Sequence, residues 1–507
     1  MDILSLHFYI DIFIGFAFYW LFPKRFRWIV LLALTSFFIY YGNNADIKII
    51  LIVLALFVIT WGASLLMSKV QDGKVKNAIL IITLLADIGC LIWLKDINFF
   101  INIFNFFGGS FSLLSFVAPI GISYFTLSLV GYTLDVFWGQ IEPEKNFFKF
   151  ILFAGYFPLL VSGPIVRYED TGKELFSEKS FSYENFCFGC QRILWGFFKK
   201  LVIAERASVF VSTIYGDLDT YKGLYALLAM AVFVLQMYAD FSGCIDIVLG
   251  VSQLFGIVLP ENFNLPFASK TLAEFWRRWH ITLGTWLKNY VFYPLLRSPA
   301  WTKMTKASKK RFGKKWGKKL PTWLGMLVLW FIIGFWHGGA WNYIVGVGLF
   351  QWLIIVLGDM LEPQFKKLNT FLGIRTESFS WKFFQCTRTI IFYMIGLSMF
   401  RCYDGILQVG KLYTSLFSEF NPWILFDGSL LQLGLTAEDY RVLFVSILII
   451  AVAGVIRLYQ DVSLRIWMSN QVTVFRWAVW IGIFLITLIW GKYGPNYTAA
   501  EFIYRGF

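Results

Sequence analysis

Runs of about 18–22 mostly apolar residues recur along this chain, each long enough to cross about 30 Å of hydrocarbon as a helix. Lipid offers no partners to backbone N–H and C=O groups, so only helices or closed barrels can span it. The runs are continuous rather than alternating, which selects helices. The chain therefore reads as an all-α, polytopic integral membrane protein with about 11–13 membrane segments, several of them short or re-entrant. Composition agrees. Hydrophobic residues make up 58% of the 507 and charged residues 15%, against about 25% charged in soluble domains.

The net charge of +14 sits largely in short stretches between apolar runs, the distribution expected of cytoplasmic loops. No nucleic-acid partner is expected. Basic loops at Lys24-Arg25-Phe26-Arg27 and Lys69–Lys76, with the non-basic turn Asn43-Asn44-Ala45-Asp46 between them, place the N-terminus outside and the basic loops in the cytoplasm. The first run lacks a basic leader and a small-residue cleavage site, so it reads as a retained span. Six cysteines are scattered, and only Cys187 and Cys190 stand at a suggestive spacing. With no second ligand pair they read as packing residues, and no metal is expected.

Phe99–Phe107 is an aromatic stretch too short to span and suited to the membrane interface. Pro119 and Gly121 suggest a broken helix entering the next apolar block, and Phe186–Ala204, interrupted by Arg192, Lys199 and Lys200, suits an amphipathic segment or a span ending at the headgroups. Asp240 and Asp246 stand in an apolar run, where carboxylates must face protein interior or water. Helix-to-helix hydrogen bonding or an ion pair with an arginine such as Arg277 or Arg278 is the expected solution, with a direct role in chemistry or substrate binding as the alternative.

Three histidines occur in the chain, and two lie in one window. It opens Glu274-Phe275-Trp276-Arg277-Arg278-Trp279-His280 and closes Phe335-Trp336-His337-Gly338-Gly339-Ala340-Trp341-Asn342. Trp276 and His280, four apart, are expected to share a helix face. Ile281–Pro294 is too polar for a span and suits a segment that enters and leaves on one side. The acid-free basic run Lys303–Lys319 reads as a cytoplasmic loop, able also to attract an anionic donor, a carrier or acidic lipid. From Pro321 onward the chain turns apolar, so His337 lies about 24 Å along the following helix, deep in the membrane or in its outer half. An imidazole is the natural general base for a hydroxyl. Asn342, an indole N–H such as that of Trp336, or the second histidine are candidate donors to an oxyanion. Spacing alone goes no further than a site inside the membrane.

The assembled motifs resemble the membrane-bound O-acyltransferase (MBOAT) superfamily, and within it the bacterial branch of alginate O-acetylation and teichoic acid D-alanylation proteins. The residues that carry the resemblance are Pro119–Thr126, the run ending Asp135-Val136-Phe137, Val161–Arg167, Tyr238–Gly243, Pro260–Asn264, Phe275–His280, Phe335–Gly338 and the closing Tyr493–Tyr504. The resemblance implies one membrane domain over 1–507, with N-terminal helices in 1–109, a catalytic core in 110–345 and C-terminal helices in 346–507. It implies a helical ring around a central funnel, with His337 as the catalytic histidine and His280 as the second family histidine. Trp336, Asn342, Arg277, Arg278 and Asp240 are the expected substrate-binding residues.

The same resemblance implies no bound cofactor. The donor would be a cytoplasmic acyl thioester, acetyl-CoA or an acyl carrier protein. The acceptor would be an extracytoplasmic polysaccharide, reached with an extracytoplasmic partner protein, at the bacterial inner membrane. Length and the C-terminal residues lean to acetyl transfer. D-alanyl transfer to teichoic acid and transport without covalent chemistry stay open, although no internal repeat of the transporter kind is seen.

Overall fold

The computed structural model describes residues 4–460, 462–494 and 497. Apart from Tyr493, Gly494 and Tyr497, the closing motif lies outside the described residues. Among those described, the regular elements are helical, and a lone β-bridge pairs Phe263 with Trp279. Eight helices are long and apolar enough to cross a membrane, and Leu6–Leu21 and Ile122–Phe137 are shorter apolar ones. The protein is an all-α, multi-pass membrane protein.

The chain forms two compact units. One takes the chain up to Gly196 and returns for Cys244–Glu261; the other holds Phe197–Gly243 and the chain from Asn262 on. In the first unit, Asp46 and Asp72 cap the helices Ile47–Lys69 and Gly73–Leu91 by accepting from the backbone N–H of Lys48 and Lys74, satisfying donors that have no helical partner. Buried Asp87 accepts from the Thr60 hydroxyl at 3.0 and 3.1 Å, tying these two helices together. Arg192 contacts Asp246 at 2.9 Å and forks onto Glu261 at 2.7 and 2.6 Å.

In the second unit, Pro299–Trp336 is interrupted at Gly313 (φ 75°, ψ 174°). The two arms double back on each other. The Trp301 indole donates to the carbonyl of Pro321 at 3.0 Å, and a Cβ at Gly317 would lie 2.4 Å from the Cα of Lys309. The basic run expected as a loop is thus a helical hairpin. Its lysines and arginine are good helix formers, and glycine supplies the backbone angles of the reversal. The second arm runs on apolar toward His337, and at Gly334 it meets the backbone of Ile344, where a Cβ would come within 2.6 Å of Cα. Small residues permit such close helix contacts in membranes.

Candidate active site

The helix carrying Trp276 ends at Arg278. Trp279 turns extended (φ −112°, ψ 131°) and bridges to Phe263, and His280 takes left-handed angles (φ 47°, ψ 52°) as the first turn of Ile281–Leu287 begins. Trp276 and His280 therefore do not share a helix face, contrary to their spacing. Non-glycine residues enter the left-handed region rarely, at a cost of about 1–3 kcal/mol each. Asn262 holds the chain there. Its backbone carbonyl accepts from the N–H of Ile281 at 3.1 Å, and its side-chain oxygen accepts from the N–H of Thr282 at 3.1 Å and the Thr282 hydroxyl at 2.9 Å.

That geometry also fixes the histidine tautomer. An atom that accepts from a backbone N–H must be the amide oxygen, so the Nδ1 of His280, 3.3 Å from it, carries the proton. The lone pair then resides on Nε2. His280 packs against Phe241 of helix Leu224–Leu254 and Trp336 of helix Pro299–Trp336. Burial lowers its pKa to about 3, because a charged imidazole would lose its hydration. His280 is a neutral acceptor at physiological pH.

His337 sits at the far end of Pro299–Trp336, where its N–H closes the last turn onto the carbonyl of Ile333 at 3.3 Å. Eighteen positions separate it from Lys319, or about 27 Å of helix. Both imidazoles are buried, at 3% and 2% exposure. They meet around Trp336, whose ring centroid lies 6.3 Å from that of His280 and 5.0 Å from that of His337. Phe241 stands edge-on to His280 at 4.9 Å and Phe400 edge-on to His337 at 5.8 Å. Two histidines 57 positions apart in sequence thus share one aromatic chamber.

The other expected residues separate. Trp336 is in the chamber. Asn342 is buried and donates its amide N–H to the carbonyl of Cys402 at 3.0 Å, holding the turn after His337 to the end of helix Phe379–Phe400. A Cβ on Gly338 would lie 2.5 Å from the ring of Tyr343, so the close approach its size permits is made by the chain's own tyrosine. Arg277 is exposed. Arg278 pairs with Glu274 at 2.8 Å and reaches the carbonyl of Asn264 at 3.4 Å.

Asp240 pairs with Lys200 at 2.6 Å, not with either arginine. Lys200 also meets Glu205 at 2.8 Å, Glu205 accepts from the Tyr497 hydroxyl at 2.5 Å, and Lys199 donates to Ser242 at 2.8 Å. The lysines expected at the headgroups are thus buried in the protein. Phe198–Ala204 is a π-helical stretch, a widened turn often found at functional sites. The two lysines grip Asp240 and Ser242, and Phe241, the residue between these two, forms the wall against His280.

Comparison with known proteins now bears on this geometry. Residues 142–307 match the sequence profile of the MBOAT, membrane-bound O-acyltransferase family. The chain is 28% identical over 460 residues to the probable alginate O-acetylase AlgI of Azotobacter vinelandii, covering 89% of this chain and 84% of that one. The chain carries an MBOAT domain over residues 142–307. The chain is also 30% identical over 353 residues to the peptidoglycan O-acetyltransferase of Helicobacter pylori, covering 64% of this chain and 62% of that one. It is 32% identical over 262 residues to the teichoic acid D-alanyltransferase of Bacillus subtilis, covering 50% and 62%. It is an O-acyltransferase. The profile match includes His280 and stops before His337.

Three positions of this MBOAT site escaped the sequence reading. Asn262 stood only within the motif Pro260–Asn264, and its task was hidden because it depends on the bridge from Phe263 to Trp279. Lys199 and Lys200 carried a signal, since two cations in an apolar run require buried partners. Nothing local, however, distinguished Asp240 from a headgroup as that partner.

Proposed function

We propose that this MBOAT protein moves an acetyl group from a cytoplasmic thioester, acetyl-CoA or an acyl carrier protein, to a hydroxyl of a cell-surface polysaccharide at the bacterial inner membrane. The observation that carries this reading is the pair of buried imidazoles meeting at Trp336. His337 acts as the base. The negative end of a long helix favours the imidazolium as it forms, whereas His280 stays neutral and accepts a hydrogen bond from a substrate O–H or N–H at Nε2.

In the reaction His337 takes the hydroxyl proton as the oxygen attacks the thioester carbonyl. The tetrahedral intermediate collapses with cleavage of the C–S bond, and the departing thiolate takes the proton back from the imidazolium. No prosthetic group is required. The acceptor lies outside, and a partner protein on that face would relay or present it. Acetyl transfer is favoured by a relative called an alginate O-acetylase that aligns with 89% of the chain. D-alanyl transfer to teichoic acid from a carrier protein is the second reading, favoured by the 32% identity to a D-alanyltransferase over half the chain.

Cells carrying His337→Ala should insert the protein normally and lose the ester that mild base releases from surface polymers. Mass analysis of that ester separates acetyl from alanyl. Full acylation by the variant would overturn the role of His337.

A further inference from the structure

Helix Gly73–Phe106 spans 34 residues, or about 51 Å at 1.5 Å per residue, far beyond the thickness of a bilayer core. Its last part, Ile97–Phe106, follows a π-helical turn at Ile92–Asp96. From Ile97 to Leu134 the chain carries no charged residue. At Gly108 (φ 101°) the chain reverses, and Phe111–Phe116 runs back along the helix as an extended segment.

Two asparagines hold that segment. The Asn105 side chain donates to the carbonyl of Phe111 at 2.8 Å and accepts from its N–H at 2.9 Å. Asn98 does the same for Leu114 at 2.8 and 2.9 Å. Seven helical residues rise about 10.5 Å, and three extended residues advance about 10 Å, so the two spacings are in register. The side-chain amides act as peptide groups and complete a one-sided ladder. Ring contacts continue it, with Phe104 against Phe111 at 5.2 Å and Trp93 against Phe116 at 5.9 Å. The outward face is apolar: Phe106, Phe107, Phe111 and Val117 are 84%, 81%, 62% and 71% exposed.

We infer that this clamped arm, Ile97–Val117, lies in the headgroup–acyl boundary of the bilayer, on the side opposite the basic loops at Lys24–Arg27 and Lys69–Lys76. Lipid is the occupant because the arm continues an apolar span past the turn at Ile92–Asp96 and because the run from Ile97 on has no charge. Both backbone groups of Phe111 and Leu114 are also satisfied internally, as lipid demands of non-helical chain. Water would have satisfied them without the asparagines. The aromatic side chains suit the interface, where tryptophan and tyrosine also concentrate.

The test is spin-label accessibility of the full chain in proteoliposomes. Labels at Phe107→Cys, Phe111→Cys and Val117→Cys, with the six native cysteines replaced, should collide with oxygen far more than with a water-soluble nickel chelate. A label at exposed Lys74→Cys should show the reverse. Asn98→Ala with Asn105→Ala should free the label at position 111 and leave Lys74→Cys unchanged. Should the cysteine-free chain fail to fold, a benzophenone amino acid at Phe107 in the native background gives the same information. Lipid adducts support the inference. Strong nickel accessibility, or benzophenone adducts on another protein in whole membranes, would overturn it.

Discussion

Adjacent lysines occur at Lys199-Lys200 and again at Lys309-Lys310 and Lys314-Lys315, with opposite fates. The first pair is 3% and 1% exposed, while the hairpin lysines are exposed. Charge and side chain are identical, so the difference lies in what the rest of the chain offers. Lys200 has Glu205 five positions on and Asp240 forty positions on. The hairpin has no acidic residue from Pro299 to Trp336, and among the described residues its ion pair is that of Lys319 with Asp359 at 2.7 Å. An ammonium buried in a membrane protein needs polar partners such as carboxylates or hydroxyls to offset its lost hydration. Without them it stays in water and reports topology.

The largest test of this contrast is Lys200→Met. It leaves Asp240 and Glu205 buried without their cation, and removing one partner of a buried pair costs about 3–5 kcal/mol. The thermal midpoint in detergent should fall sharply. Replacing all three together, Lys200→Met with Asp240→Asn and Glu205→Gln, should recover most of that loss. If Lys200→Met is as stable as wild type, the buried pair is not what separates the two lysine groups.

A smaller effect is expected at the hairpin. Lys310→Gln with Lys314→Gln should leave the thermal midpoint within error, because surface substitutions away from special features stay near neutral. A large loss of stability would show that these exposed cations have structural partners.

A pH-dependent effect is expected at His280. Its pKa is lowered in the folded state, so the unfolded chain binds a proton that the folded chain refuses. Stability from this group is therefore complete above about pH 6.5 and falls as pH drops toward 3, by about 1.4 kcal/mol per pH unit. His280→Gln should flatten that part of the stability–pH curve, measured by thermal unfolding between pH 7 and 4.5. An unchanged slope would place the proton uptake elsewhere.

Much of the site was legible before the structure. Two of three histidines stood in one window, each beside tryptophan, and the apolar helix that leads to His337 followed from the composition after Pro321. The chamber itself was not legible. Trp276 and His280 obey helical spacing, yet Trp279 leaves the helix to pair with Phe263, and that pairing depends on contact with a segment 16 residues earlier. Asp240 had two candidate arginines after it in sequence, and its partner came instead from a π-helical turn before it.

The sequence by itself determined the helical membrane class, because lipid requires an internally satisfied backbone and the continuous apolar runs select helices over a barrel, and it named the two buried histidines as candidates. Tertiary structure decided which of those residues meet. Side-chain partnerships such as Asn262 with His280, Lys200 with Asp240 and Trp336 with both imidazoles join positions tens of residues apart. Periodicity records which residues share one helix, and it carries no record of which helices touch.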